Sequence, residues 1–155
     1  MYLPLFALLD AMLKHKQRPT NLVLTSFLSV ANETHSFEKS VKLVELIYDK
    51  CGYYIESDLG KSTVQDCFEE VERSANVKIT STCLQLAELF SEYNADYILY
   101  TNVRVACLVR LGRVEEAVQL VLRTHSTNKG VSSTNYQSLV KAIGTSSLPP
   151  KYLQE

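Results

Sequence analysis

Apolar residues recur along this chain at intervals of three and four, the spacing that lines one face of a helix, in eight successive stretches separated by polar links. The first, Leu5 to Lys16, carries Leu5, Leu8, Leu9, Met12 and Leu13 and stops ahead of Pro19, which disfavours a helical Arg18. A second helix is predicted over Asn21 to Asn32. After a turn at Glu33 to His35, a long amphipathic helix covers Phe37 to Lys50, with Gly52 as its C-cap. Gly52 to Lys61 has no period and reads as a loop. Helices follow at Thr63 to Ala75, Thr80 to Tyr93, Tyr97 to Leu111, Val114 to Thr124 and Thr134 to Ile143. The β-branched residues fall inside helical periods, so strand candidates are few. From Gly144 onward, Ser146, Ser147, Pro149 and Pro150 read as a frayed tail.

Twelve residues recur with the same chemistry 77 positions apart, His35-Ser-Phe-Glu-Lys-Ser-Val-Lys-Leu-Val-Glu-Leu and Gly112-Arg-Val-Glu-Glu-Ala-Val-Gln-Leu-Val-Leu-Arg. Both start in a turn, place acids in the first helical turn, put a small residue (Ser40, Ala117) at a close-packing position and then run apolar. A weaker third copy places Lys78 in the turn position, with Cys83, Leu84, Leu86 and Ala87 on the apolar face. Turns at 35, 78 and 112 give pitches of 43 and 34 residues, and the following unit adds one of 35. The expected fold is all-α, an α-solenoid of antiparallel helix-turn-helix repeats. Residues 1–20 form the second helix of a preceding repeat, 21–62 repeat 1 with a long inter-repeat loop at 52–61, 63–97 repeat 2 and 98–132 repeat 3. Residues 133–146 form the first helix of a further repeat, and 147–155 the tail. An array opened at both ends leaves apolar faces uncovered, so a longer solenoid or a protein partner is expected to cover them.

Composition narrows the chemistry. At 46% hydrophobic and 21% charged the chain is globular in type, and no apolar run approaches the roughly 20 residues that span a bilayer. Tyr2 to Leu13 is apolar but has no basic flank and holds Asp10, so it does not read as a signal sequence, and no Arg-rich transit segment is present. Cys51, Cys67, Cys83 and Cys107 are spaced 16, 16 and 24 apart, which fits neither zinc nor thioredoxin motifs and suggests small buried hydrophobes in a reducing compartment. His15, His35 and His125 are dispersed, so no metal or other cofactor is expected. Asn32-Glu33-Thr34 matches a glycosylation acceptor that matters only in a secreted protein. No phosphate loop, nucleophile motif or acid-base pair points to an enzyme, and Glu69-Glu70-Val71-Glu72 reads as a solvated face. Net charge is -1, but residues 1–97 hold 9 Lys or Arg against 14 Asp or Glu, whereas residues 98–155 hold 7 against 3. The C-terminal part is basic and the centre, from Glu56 to Asp96, acidic.

Three segments resemble the pentatricopeptide repeat, a 35-residue helix pair used mainly in organelles to bind single-stranded RNA. Met12 to Leu28 aligns without a gap to the family's repeat junction, including Met12, Pro19 and the closing Phe27-Leu28. Gly112-Arg-Val-Glu-Glu-Ala117 is similar to its hairpin turn and second-helix start. Tyr136-Gln-Ser-Leu-Val140 is similar to a first-helix opening, 35 residues beyond Thr101-Asn102. Arg104 stands where the family has Leu, Cys67-Phe68-Glu69-Glu70-Val71 is a poor opening, and the loop after Gly52 is long, departures similar to the degenerate animal mitochondrial arrays.

The resemblance implies a right-handed solenoid in which the fifth residue of each first helix, with the residue closing the repeat, reads one base. Carried over, the readers are Asn102 with Ser132, Thr25, Gln137, and Thr20 closing the unit before the first; Phe68 would at most stack, and Tyr97 closes its unit. An Asn at the fifth place suits a pyrimidine edge, since an amide both donates and accepts. Arg104, Arg110 and Lys141 are the candidates for backbone phosphate contacts. Two readings stand: an RNA-binding segment acting in mitochondrial RNA stability, processing or translation, and a scaffold for protein partners in mitochondrion, cytoplasm or nucleus.

Overall fold

The computed structural model describes residues 2–17, 19–93, 98–126 and 133–145. Among them every regular element is helical and none is a strand: α1 Tyr2–Lys14, α2 Asn21–Glu33, α3 Phe37–Glu45 running on into a π-helical turn Leu46–Lys50, α4 Ser57–Ser74, α5 Val77–Tyr93, α6 Ile98–Arg110, α7 Val114–Ser126 and α8 Ser133–Thr145. No helix among these residues is long and apolar enough to cross a membrane. The helices α2, α4, α6 and α8 pack on one another in order; α1 packs on α2, α3 on α2 and α5, α5 on α4 and α6, and α7 on α6 and α8.

Chain reversals are set by residues in the left-handed region. Lys16, His35, Gly52, Ala75 and Gly112 all have φ between 52° and 75°. At His35 the turn closes as a Schellman motif, with Ser36 N–H donating to the Ala31 carbonyl at 2.7 Å and His35 N–H to Asn32 at 3.1 Å; at Gly112 the same bonds run from Arg113 to Leu108 and from Gly112 to Val109. Ala75 closes the simpler form, its N–H reaching the Val71 carbonyl at 3.1 Å.

Those turns correct the middle repeat. The residue equivalent to His35 and Gly112 is Ala75, three positions before the expected Lys78, so the spacings are 40 and 37 residues. The reason is a cap: Asn76 Oδ1 accepts from the N–H groups of Lys78 at 2.8 Å and Ile79 at 3.2 Å, which starts α5 at Val77 rather than at Thr80. Lys78 is then helical and bonds Glu38 Oε1 of α3 at 2.9 Å. In the corrected register, positions five, eight, nine and twelve after each turn residue are buried in all three second helices: Ser40, Leu43, Val44 and Ile47; Thr80, Cys83, Leu84 and Ala87; Ala117, Leu120, Val121 and Thr124. The apolar residues of these periods, Val41, Leu43, Val44, Leu84, Leu86, Val118, Leu120 and Val121, are all buried.

A left-handed Ala is strained where Gly is not. Ala75→Gly should therefore raise stability by about 0.5 kcal/mol, and Gly112→Ala, which meets nothing within 4 Å, should lower it by about 1 kcal/mol from φ alone. Denaturant midpoints at unchanged slope measure both, and equal signs for the pair would contradict the turn assignment.

The loop after Gly52 is shorter than expected, residues 51–56, because α4 begins at Ser57 instead of Thr63. Asp58 lies in its first turn, where a carboxylate is favoured, and Ile55 is fully buried just ahead of it. The added turn serves packing. A Cβ on Gly60 would fall 2.9 Å from Tyr100 Oη and 3.1 Å from Phe90 Cε1, so only Gly lets α4 lie this close to α5 and α6. Nearby, a buried polar clamp joins α2, α3 and α4: Asn32 Nδ2 donates to Thr63 Oγ1 at 2.7 Å, and Ser40 Oγ donates to Asn32 Oδ1 at 2.9 Å. Thr63 Oγ1 in turn donates to the Leu59 carbonyl at 2.8 Å, so each member is satisfied.

Candidate nucleic-acid interface

Thr25, Asn102 and Gln137 are each the fifth residue of their helix, α2, α6 and α8. Thr25 and Asn102 also lie ten residues before the left-handed turn residue, and in the middle unit that place belongs to Gln65, which is exposed. With the turn expected at Lys78 that place falls on Phe68; the turn at Ala75, three residues earlier, moves it to Gln65. Phe68 instead takes the register of Leu28 and Val105, half-buried, with the Arg110 guanidinium carbon 5.3 Å from its ring centroid. The signal for Gln65 was Asn76, a cap residue whose position fixes the turn.

The hydroxyl and amide groups are partly engaged within the fold. Thr20 is the N-cap of α2, its side chain accepting from Val23 N–H, and Thr25 Oγ1 donates to the Asn21 carbonyl at 2.9 Å. Half-buried Asn102 accepts from Asn135 Nδ2 of α8 at its carbonyl oxygen, 2.8 Å, and at Oδ1, 3.2 Å. Gln137 is exposed. Ser132 and Tyr97 lie outside the described residues.

The side chain four positions on shares a helix face with each of these residues. Beside Gln137 that residue is exposed Lys141, beside Asn102 it is buried Ala106, beside Thr25 it is half-buried Ser29, and beside Gln65 it is exposed Glu69. The face is therefore cationic at α8 and anionic at α4. Arg110, exposed at the end of α6, lies about 80° around the helix from Asn102. Arg104 does not belong with it. Two positions from Asn102, it lies about 200° around, on the opposite side of α6. It is half-buried, and desolvation pushes its guanidinium below the ordinary arginine range, with Glu88 opposing and Arg123 adding to the shift.

The cysteines do not make a centre. Cys51, Cys67, Cys83 and Cys107 are free thiols and buried. Hydrogen bonding with Cys83, then burial, pushes the Cys107 thiol well above its ordinary range, which leaves almost no reactive thiolate. Among the described residues no group of three or more His, Cys, Asp or Glu is placed to hold a metal ion.

No protein-family model matches this chain, and no curated protein is significantly similar to it.

Proposed function

We propose that this chain is a pentatricopeptide-like segment, a right-handed α-solenoid whose first helices read single-stranded RNA in mitochondrial RNA stability, processing or translation. The observation that carries the reading is the polar residue at one register of each first helix: Thr25, Gln65, Asn102 and Gln137. Short hydroxyls and amides at a fixed place on consecutive helices are what reading one base per repeat requires. Lys141 and Arg110 supply the phosphate contacts, and Arg104 is left out of the set because it faces away from the readers. Glu69 repels the backbone at the second repeat.

The reading is tested on a fluorescent oligoribonucleotide titrated at several salt concentrations. Glu69→Lys should tighten binding to every sequence and steepen the salt slope by about one ion, and Arg110→Ala should do the reverse. Asn102→Ala and Gln65→Ala should each change base preference at one position, by about 1 to 3 kcal/mol, with little effect on the slope. Salt-insensitive binding, or none, would reject RNA as the ligand.

A protein-binding scaffold is the second reading. It is favoured by apolar side chains left open at the two ends of the helix series, Leu8 and Leu22 beside α1 and α2 and Val140 on α8, which are 56%, 77% and 67% exposed. A partner that co-purifies with the chain in the absence of RNA affinity would put this reading first.

A further inference from the structure

Tyr93 ends α5 with its ring in the open, 43% exposed, yet the ring is fixed on two sides. One face lies on the buried Tyr48 of the π-helical turn, with centroids 3.9 Å apart and planes 15° from parallel, and the hydroxyl donates to Asp49 Oδ1 of the same turn at 2.5 Å. The exposed surface is therefore the other face and the ring edge. Tyr48 in turn meets Phe90 edge-on, and Phe90 stacks on Tyr100, so the outer ring stands on a column of aromatics that runs into the core. The surroundings of Tyr93 are anionic. The hydrogen bond to Asp49, then desolvation, then the charges of Asp49 and Glu92 push its phenol up to about 12. Lys50, next in the chain to Asp49, is exposed, and no ion pair among the described residues involves Asp49, Lys50 or Glu92.

The face of an aromatic ring is electron-rich and attracts a cation, and a carboxylate at the ring's end adds a full negative charge beside it. A guanidinium satisfies both at once, because its plane stacks on the ring while its N–H groups point outward to an acid. We propose that Tyr93 and Asp49 form a docking site for an arginine side chain of a partner protein, with the guanidinium on the outer face of Tyr93 and its edge on Asp49 Oδ2, the oxygen that the tyrosine does not use. Lysine fits less well, since its compact, strongly hydrated ammonium neither stacks nor forks. The ring is already held by Tyr48 and Asp49, so little side-chain freedom is lost when the arginine binds. The site does not rest on the RNA reading: Tyr93 ends a second helix, whereas Thr25, Asn102 and Gln137 lie on first helices, and carboxylates here repel phosphate.

The test uses the full chain and two fluorescent probes of equal charge, hexaarginine and hexalysine peptides. Hexaarginine should bind the tighter by about threefold or more. Tyr93→Leu, which keeps an apolar side chain on Tyr48 but removes the aromatic face, should weaken hexaarginine by about three- to thirtyfold and leave hexalysine within about twofold. Tyr93→Phe and Asp49→Asn change shape least and separate the ring from the charge: the first should stay within about threefold of the unmodified chain, and the second should weaken hexaarginine by about two- to fivefold. Tyr93→Trp gives the chain its one tryptophan, whose emission should change as hexaarginine saturates the site. Glu72→Gln, at an exposed acid on α4, should leave both peptides unaffected. No hexaarginine binding by the unmodified chain, equal affinity for the two peptides, or unchanged hexaarginine affinity in Tyr93→Leu overturns the proposal. A loss in Tyr93→Phe as large as that in Tyr93→Leu also overturns it, because the hydroxyl and not the ring would then be the contact.

Discussion

Phe90→Ala should destabilise the fold by about 3 to 5 kcal/mol, the range of a fully buried aromatic truncated in a packed interior. Phe90 has no exposed surface and lies where three helix pairs meet. Its ring stacks on Tyr100 of α6 with centroids 5.7 Å apart and meets Tyr48 of the π-helical turn edge-on at 6.2 Å. It also floors the close approach at Gly60. Truncation therefore removes contacts to the π-helical turn, α4 and α6 together, and the cavity closes little because Gly60 has no side chain to fill it. Equilibrium urea unfolding gives the change. A cost under about 1 kcal/mol would mean that α5 is not the centre of the packing.

Leu120→Ala should cost about 2 to 5 kcal/mol, as a large-to-small change at an interior position does. Leu120 sits on α7 in the register of Leu43 and Cys83, and Val118 and Val121 beside it are also buried. Val140→Ala on α8 is the control. At 67% exposed it should change stability by no more than about 0.5 kcal/mol. Equal effects from the two substitutions would show that the apolar face of α7 does not point inward.

The sequence alone determined the class of structure and the inward faces, because 3.6-residue periodicity is local: each of the eight predicted helices has a counterpart, and Val41, Leu43, Val44, Leu84, Leu86, Val118, Leu120 and Val121 are buried as their spacing requires. It also located the turns at His35 and Gly112, where a twelve-residue recurrence and a glycine mark them. It misplaced the middle turn because the cue there, Ala75 in a left-handed conformation followed by a capping Asn76, is weak beside the apolar period that continues on either side. Residues 57–61, the first five of α4, read as loop in the sequence because Gly60 and the tyrosines ahead of it break the pattern; only the approach of Phe90 and Tyr100 explains why a glycine is helical there.

Tertiary structure likewise decided the candidate site. It placed Gln65 rather than Phe68 at the register of Thr25 and Asn102, engaged Asn102 with Asn135, and put Arg104 and Arg110 on different sides of α6. Which residues share a face between helices depends on register, and a three-residue error in one turn moves a side chain to another part of the surface. Helical periodicity specifies the inside of each helix, whereas the alignment of one helix with the next is set by caps, close contacts and the Asn32, Ser40 and Thr63 clamp, groups that are far apart in sequence and meet only in the folded chain.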